Sequence, residues 1–485
     1  MSTLDKIKSE RLQKIEILNK NGINPYPSKT NRDISLLLYS EKFEEILSSE
    51  KEHTLSGRVM SVRGHGGSTF FDLFDGTGKL QIFLSQNEIG EDSYKLFKDT
   101  VDLGDFVEVK GKAFQTQRGE KSLSADSWTM LSKSLLPIPD QWYGIKDEDE
   151  RYRKRFLDLL LNQNLREVFE KKAKFWEETR NFLKERGFLE IETPTLELTT
   201  GGAEARPFKT HHNDFDLDMY LRISVGELWQ KRLMTAGFSK TFEIGRVYRN
   251  EGTSPEHLQE FTNMEFYASY MNFEDGMKLV KELYITLAKN VFGTTKFESK
   301  GYSFDFADEW EELDYVSTVE KMTGVNVLES SEKELQKKLE ELGVEYEGKN
   351  KERLTDSLWK YCRKQIAGPA FLVNHPKIVA PLSKEHPDDD RLTKTFQVIL
   401  AGSEVGRAHS ELNDPIDQAK RFENQQKLLD SGDEEAMMPD LDYVEAMEYG
   451  MPPTFGFGVG ERLFSILLGL PVRETQLFPL MRPKQ

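Results

Sequence analysis

The chain has 485 residues, 37% hydrophobic and 31% charged, with a formal net charge of −17 and a single cysteine; at this length more than one hydrophobic core is expected, since single cores stop growing at about 250–300 residues. The acidic balance argues against a general affinity for nucleic acid. Cys362 alone excludes an intramolecular disulfide and any zinc site built on paired cysteines, and no apolar run approaches the roughly 18 residues of a membrane span. The charge is uneven: residues 1–139 carry 19 Lys+Arg against 20 Asp+Glu, and residues 140–485 carry 47 against 63. A polyanion would meet the first part, or a local basic site.

Residues 4–20 have Leu and Ile at helical spacing and predict an amphipathic helix that ends before "NGINPYP". This start lacks the apolar stretch of a secretory signal, so a soluble, cytoplasmic protein is expected. From about residue 54 the period becomes two. "TLSGRVMSVR", "TFFDLF", "KLQIFL", "DFVEVKGKAF" and "SLSADSWTML" read as five strands, with a helix near 91–100 between the third and fourth. That arrangement suits a small Greek-key barrel of the OB type, either ligand-binding or purely structural. "LLPIPDQWYG" breaks the strand pattern and, with "KDEDERYRKRFLDLLLN", reads as a linker. A helix at about 165–187 follows, then extended "GFLEIETPTLE" and a hairpin over "GRVYRNEGTSPEHLQEFTNMEFYASY", residues 245–270. A charged helical insert spans about 310–366; its "SSEKELQKKLEELG" reads as a solvated helix face without chemistry. Extended pattern returns at "TFQVILAGSEVGRAHSELND", and "PTFGFGVGERLFSILLGL" reads as a glycine-rich strand running into an apolar helix. The chain has no internal repeat.

Strand parity brings together side chains that could do chemistry. In the hairpin, Arg249 and Glu251 share one face, and Glu265 and Tyr267 share one, so its floor could present a guanidinium, two carboxylates and a phenol. A salt-bridged sheet surface has the same pattern. Further on, Arg407, His409 and Glu411 fall on one face of an unbroken strand, whereas Glu404 joins them only through a bulge or a bend. His409 by itself reads as a hydrogen-bonded core histidine, and Cys362 as a small buried hydrophobe. Glycines at 456, 458 and 460 strip one face of their strand, which suits either a flat ligand or close backbone packing. Arg462 follows at a strand-to-helix junction, a place that suits phosphate. There is no GxxxxGK[ST] loop and no dinucleotide fingerprint, so a nucleotide would bind by another route.

Taken together these stretches resemble the class II aminoacyl-tRNA synthetases, and most closely the lysyl-tRNA synthetases. "GFLEIETPTLE" is similar to the family's first motif, "GRVYRNEG...EHLQEFTNMEFY" to the second and "GFGVGERLF" to the third, while "GGAEARPFKTHHNDFDLDMYLRIS", "SELNDPIDQAKRFENQ", "YVEAMEYGMPPT" and "LFPLMRP" resemble the lysine enzymes in particular. The resemblance implies an α+β architecture: a helical extension over 1–50, a five-stranded OB-type anticodon-binding barrel over 51–140, and over 141–485 an antiparallel-sheet catalytic domain flanked by helices. It implies formation of lysyl-adenylate from lysine and ATP with Mg²⁺, transfer of the lysyl group to tRNA(Lys), and a homodimer. Carried onto this sequence, Arg249 and Arg462 are catalytic. Arg249, Glu251, His257, Phe261, Glu404 and Arg462 bind ATP, with Phe261 and Arg462 sandwiching the adenine. Gly202, Glu227, Glu265, Tyr267 and Glu411 bind lysine, Glu404 is a metal ligand, and Arg63, Phe70, Gln81 and Glu120 read the anticodon.

The sequence departs from the family pattern in several places. Gln397 stands where a second acidic metal ligand is expected, and Arg407 and His409 replace a usual asparagine and phenylalanine. The third motif is one residue shorter, and "LQEF" replaces the common "NPEF". Arg407 leaves open a synthetase of the same subclass for aspartate or asparagine, since it could face a side-chain carboxylate; Glu265 and Glu411 argue against this. A non-catalytic tRNA-binding paralogue would have no need of Arg249, Arg462 and Glu404.

Overall fold

In the computed structural model the described residues are 3–139, 145–203, 205–252, 254, 257–346, 348, 350–433 and 435–484, with His65 described by its backbone alone. Part of the expected linker, 140–144, lies outside them. The chain divides into two compact units, Met1–Leu161 and Asn162–Gln485.

The first unit is built on alternation. Strands β1 (Glu52–His65), β2 (Ser68–Phe74), β3 (Lys79–Ser85), β4 (Phe106–Gln115) and β5 (Lys121–Ser132) close a barrel in the order β1-β2-β3-β5-β4, with β1 returning to β4. The β3–β5 pair is parallel and the other pairs are antiparallel, the Greek-key arrangement expected of an OB fold. Inward residues Leu55, Val59, Phe71, Leu73, Ile82, Val107, Val109 and Leu123 are fully buried. The helix Glu91–Thr100 adds Tyr94 and Phe97 to that core. The N-terminal helix Thr3–Lys20 keeps most of its surface wet and buries Arg11, whose guanidinium donates to the carbonyls of Ser134 and Leu136, both at 3.1 Å.

The second unit carries a larger sheet. Its strands are β6 (Leu189–Glu190), β7 (Leu196–Glu197), β8 (Lys209–His212), β9 (Leu217–Leu221), β10 (Lys240–Tyr248), β11 (Glu260–Ser269), β12 (Lys296–Ser299), β13 (Tyr302–Asp305), β14 (Glu311–Asp314), β15 (Ala370–Pro376), β16 (Leu392–Leu400), β17 (Ser403–Ser410) and β18 (Thr454–Gly460). Eight of them form one sheet in the order β14-β15-β16-β17-β18-β11-β10-β6, antiparallel except at its two edges. The expected 245–270 hairpin is the β10–β11 pair. One face of the sheet is apolar: Phe266, Phe396, Val398, Ala408, Phe455, Phe457 and Val459 pack against the helices Gln163–Glu185 and Phe273–Leu287. Burying large aromatics on that face frees the other for polar groups.

The insert differs from its sequence reading. It opens with β14, which joins the main sheet, and its helices Tyr315–Thr323, Glu332–Glu341 and Lys351–Arg363 share a core of Val319, Leu335, Leu339, Leu354, Leu358 and Trp359. Leu335 and Leu339, inside the stretch read as solvated, are fully buried. Two leucines four residues apart anchor a helix whose other faces are charged, and the high charge density masked them.

Candidate active site

The polar face of the sheet is ordered by register. Glu265 pairs with Gly458, Gly458 with Arg407 and Arg407 with Gln397, and the next row runs Tyr267, Gly456, His409, Thr395. Directly paired residues point to the same face, so the glycines of β18 form a bare channel between a carboxylate-bearing strand and a cation-bearing one. A side chain at Gly456 would collide with Glu411 and Tyr267, and one at Gly458 would press on Glu265. The bulge that Glu404 requires is present: Val398 pairs with Gly406 and Ile399 with Glu404, leaving Val405 unpaired and returning Glu404 to the face of Arg407.

At one end of the channel lies an acidic slot. The helix Glu227–Thr235 points Glu227 toward Glu265 and Glu411, and each of the three carboxylates is less than 10% exposed. Glu265 accepts hydrogen bonds from the Val225 amide and the Asn263 side chain, both at 2.9 Å, and from the Tyr267 hydroxyl at 3.0 Å. Burial, then the charge of Glu227, raises the pKa of Glu265. Burial also raises that of Glu411, against the pull of Lys231. The fourth member of the slot is Lys231, absent from the sequence candidates. Its ammonium, fully buried, lies 2.7 Å from Glu227 Oε1 and 2.5 Å from Glu411 Oε2. Burial alone would depress its pKa; the two carboxylates override that and raise it. The i, i+4 spacing of Glu227 and Lys231 in "GELWQK" was the available signal. Gly202, at φ +86°, lies against Ser224 and Glu227, where any side chain would clash.

At the other end, Arg249 follows β10. Its Nε and Nη2 are each 3.3 Å from the Ile223 carbonyl, and its guanidinium stands 5.3 Å from the centre of the Phe261 ring. Phe261 thus carries Arg249 on one face, while Arg462 donates to the Glu404 carbonyl at 3.3 Å. The Glu251 carbonyl accepts from Gln259 at 3.2 Å. His257 is exposed and bonded to the Ser254 hydroxyl at 2.8 Å, at the far end of the hairpin loop.

The family departures cluster under the insert. Gln397 is buried and its amide oxygen accepts from Trp359 Nε1 at 2.9 Å, so that oxygen is committed to the insert. Arg363, the last residue of the same insert helix, lies 3.6 Å from Glu404. The helix Lys351–Arg363 therefore touches both expected metal positions. Arg407 Nη2 donates to the Val379 carbonyl at 2.6 Å. It lines a small cavity with His409, Glu227, Gly202, Val379 and Met437. His409 is hydrogen-bonded to Thr395 at 3.0 Å, and burial, then Arg407, holds its pKa well below the usual histidine value.

The description "tRNA synthetases class II (D, K and N)" belongs to the family model that matches residues 147–482, and "OB-fold nucleic acid binding domain" to the one that matches 53–131. The Lysine--tRNA ligase of Thermotoga maritima is 44% identical over 99% of this chain and 97% of its own length. Those of Roseiflexus sp. and Pelotomaculum thermopropionicum are 41% and 40% identical, each over 99% of this chain and covering 99% and 96% of their own lengths. The chain belongs to the lysine–tRNA ligases of class II.

Three of the residues expected to read the anticodon, Arg63, Phe70 and Gln81, share one face of the barrel sheet. Arg63 pairs in register with Phe70, and Gln81 with Asp72. Gln81 Oε1 accepts from the Ser122 hydroxyl at 3.0 Å, and Glu120 lies exposed in the β4–β5 turn. Sequence parity missed two neighbours. The Phe70 ring lies 4.8 Å from Phe83, and Phe83 lies 5.6 Å from Phe114, so three half-buried rings from β2, β3 and β4 form a row that passes over the intervening β5. Their alternation with buried aliphatics was legible in "KLQIFL"; their convergence needed the barrel's closure.

Proposed function

We propose that this lysine–tRNA ligase joins lysine to ATP in the channel between β11 and β17 and passes the lysyl group to a tRNA held by the barrel. The observation that carries the reading is the slot: three buried carboxylates and the Tyr267 phenol, next to a guanidinium and a strand face without side chains. Lysine brings two ammonium groups whose burial without partners is costly, and this is where partners are already desolvated. Its carboxylate would face Arg249, and a carboxylate oxygen would attack the α-phosphorus as the bond to pyrophosphate breaks. A ribose hydroxyl of the tRNA would then take the lysyl group and release AMP. No side-chain nucleophile is needed; alignment and stabilisation of developing charge suffice. Phe261 and the β18 glycines would take the adenine, with Arg462 beside it, and Glu251 and His257 would reach the nucleotide from the hairpin side.

Among the described residues no group of three His, Cys, Asp or Glu could hold a metal by itself. Glu404 offers one carboxylate on the site face, and Gln397 Oε1 is engaged by Trp359. A magnesium ion fits here only with phosphate oxygens completing its shell, Glu404 being the protein ligand. When bound, it supplies neutralisation of phosphate charge.

An aspartate or asparagine substrate would place a carboxylate or amide among Glu227, Glu265 and Glu411, and the Arg407 guanidinium that could offset this faces Val379. For the barrel, Phe70 and its neighbours support stacking of splayed bases, with Arg63, Gln81 and Glu120 reading their edges. Exposed Leu189, Leu196 and Leu198 on the first-motif segment support a second copy of the chain as partner. Amino-acid-dependent ATP–pyrophosphate exchange is the test. Exchange with lysine and not with aspartate or asparagine is expected; exchange with aspartate alone would overturn the reading.

A further inference from the structure

Lys231 sits where a substrate ammonium would be expected, between two buried carboxylates. It uses one oxygen of Glu227, Oε1, and one of Glu411, Oε2. The other oxygens look elsewhere. Glu227 Oε2 faces Gly202, and Glu411 Oε1, buried and without a hydrogen-bond partner, faces Gly456. Both of these oxygens therefore lie against glycines, the two places where the walls carry no side chain.

We propose that Lys231 is a positioning residue and fixed counter-ion of the amino-acid slot, aiming one oxygen each of Glu227 and Glu411 at the substrate and setting the slot's net charge. The inference rests on the lysine-binding reading above. With all three carboxylates ionised, one ammonium leaves two negative charges, the number that the two ammonium groups of lysine neutralise. Without Lys231 the count is three against two, and a neutral slot would need a carboxylate to hold a proton, making that group a poorer acceptor.

The groups facing Lys231 are Glu227 on its own helix, Tyr267 on β11 with its ring centre at 5.8 Å, Glu411 after β17, His409 on β17 and Tyr443 on the helix Leu441–Glu448. Glu265 acts on the set through Glu227, Arg249 acts on Glu265, and Arg232 acts on Tyr443. Among these groups Lys231 is the cation in contact with both Glu227 and Glu411. The histidine is held neutral by burial, the phenols are not cations, and Arg249 and Arg232 act on Glu265 and Tyr443. Arg407, which acts on His409 and lines the cavity beside Glu227, donates to the Val379 carbonyl.

The test is the pH profile of the lysine KM in ATP–pyrophosphate exchange for the unaltered enzyme and Lys231→Met. The variant is expected to raise the lysine KM by about tenfold or more near neutral pH, the scale of one hydrogen bond to a charged group, with the ATP KM within about twofold. Its best lysine KM should move to higher pH, because Glu227 and Glu411 lose the cation that favours their ionised forms. A lysine KM profile parallel to that of the unaltered enzyme would overturn the proposal while leaving lysine activation intact. Lysine-dependent exchange missing from the unaltered enzyme would instead remove the parent reading, and this inference with it. Should Lys231→Met fail to fold, a crystal structure of the unaltered enzyme with lysine decides. Lys231 is expected to stay between the two carboxylates, with the substrate ammonium groups on Glu227 Oε2 and Glu411 Oε1; Lys231 displaced from the slot would overturn the proposal.

Discussion

The barrel and the slot both set lysine or arginine against carboxylates on a sheet, and they do so at opposite ends of the burial scale. On the barrel, Arg63 lies 3.9 Å from Asp72 with 65% of its side chain exposed, and Lys79 lies 2.9 Å from the same carboxylate with 59% exposed. In the slot, Lys231 is wholly buried and Glu411 nearly so. Water screens the first set, so these charges remain available to a ligand and contribute little to the fold. The second set has already lost its water, so its members depend on one another, and a ligand that supplies cations completes an arrangement the fold leaves unfinished. Recognition by the barrel is thus separable from stability, whereas recognition by the slot is not.

That contrast can be broken by substitution. The largest effect is expected from Arg249→Ala: loss of the guanidinium beside the reacting carboxylate should lower lysine-dependent exchange by about 10²–10³-fold or more, with the thermal unfolding transition retained; near-normal exchange would refute its role. Glu411→Gln should raise the lysine KM by roughly 10–100-fold and also lower the urea midpoint, because it strips a charged partner from buried Lys231. A change in KM without any change in stability would blur the distinction. Phe70→Ala should weaken tRNA charging by the ~1–3 kcal/mol of one stacked base, with exchange far less affected; equal loss in both assays would contradict a separate recognition face.

A pH measurement sharpens the same point. Burial, then Arg407, lowers the pKa of His375 from 6.5 to about 3. The unfolded chain therefore takes up a proton below about pH 6.5 that the folded chain refuses until about pH 3, so stability is lost as pH falls through that window. His375→Asn should show a shallower acid limb in urea unfolding than the unaltered chain. The smallest effect is expected at the barrel surface, where Arg63→Ala should change stability by less than about 1 kcal/mol in urea unfolding.

Much of this was legible in the sequence because local period and turn chemistry agree with the fold. Five alternating segments and one helix became the OB barrel, and strand parity placed Glu265 beside Tyr267. The requirement that Glu404 needs a bulge was met at Val405. What escaped the sequence was set by neighbours distant along the chain. Arg407 could be put on a face, but its choice of the Val379 carbonyl depends on a segment 28 residues away. Gln397 read as a weakened metal ligand, whereas Trp359, 38 residues earlier, claims its amide oxygen. Lys231 was overlooked for a different reason: in a helix rich in charge, an i, i+4 pair is ordinarily a surface pair, and only its burial beneath β11 and β17 gives it another meaning.

Equilibrium titration without ATP measures the central claim most directly, with lysine, norleucine and aspartate as ligands. The account predicts that lysine binds, that norleucine, lacking the terminal ammonium, binds at least about tenfold more weakly, and that aspartate binds more weakly still. Norleucine or aspartate binding as tightly as lysine would contradict it.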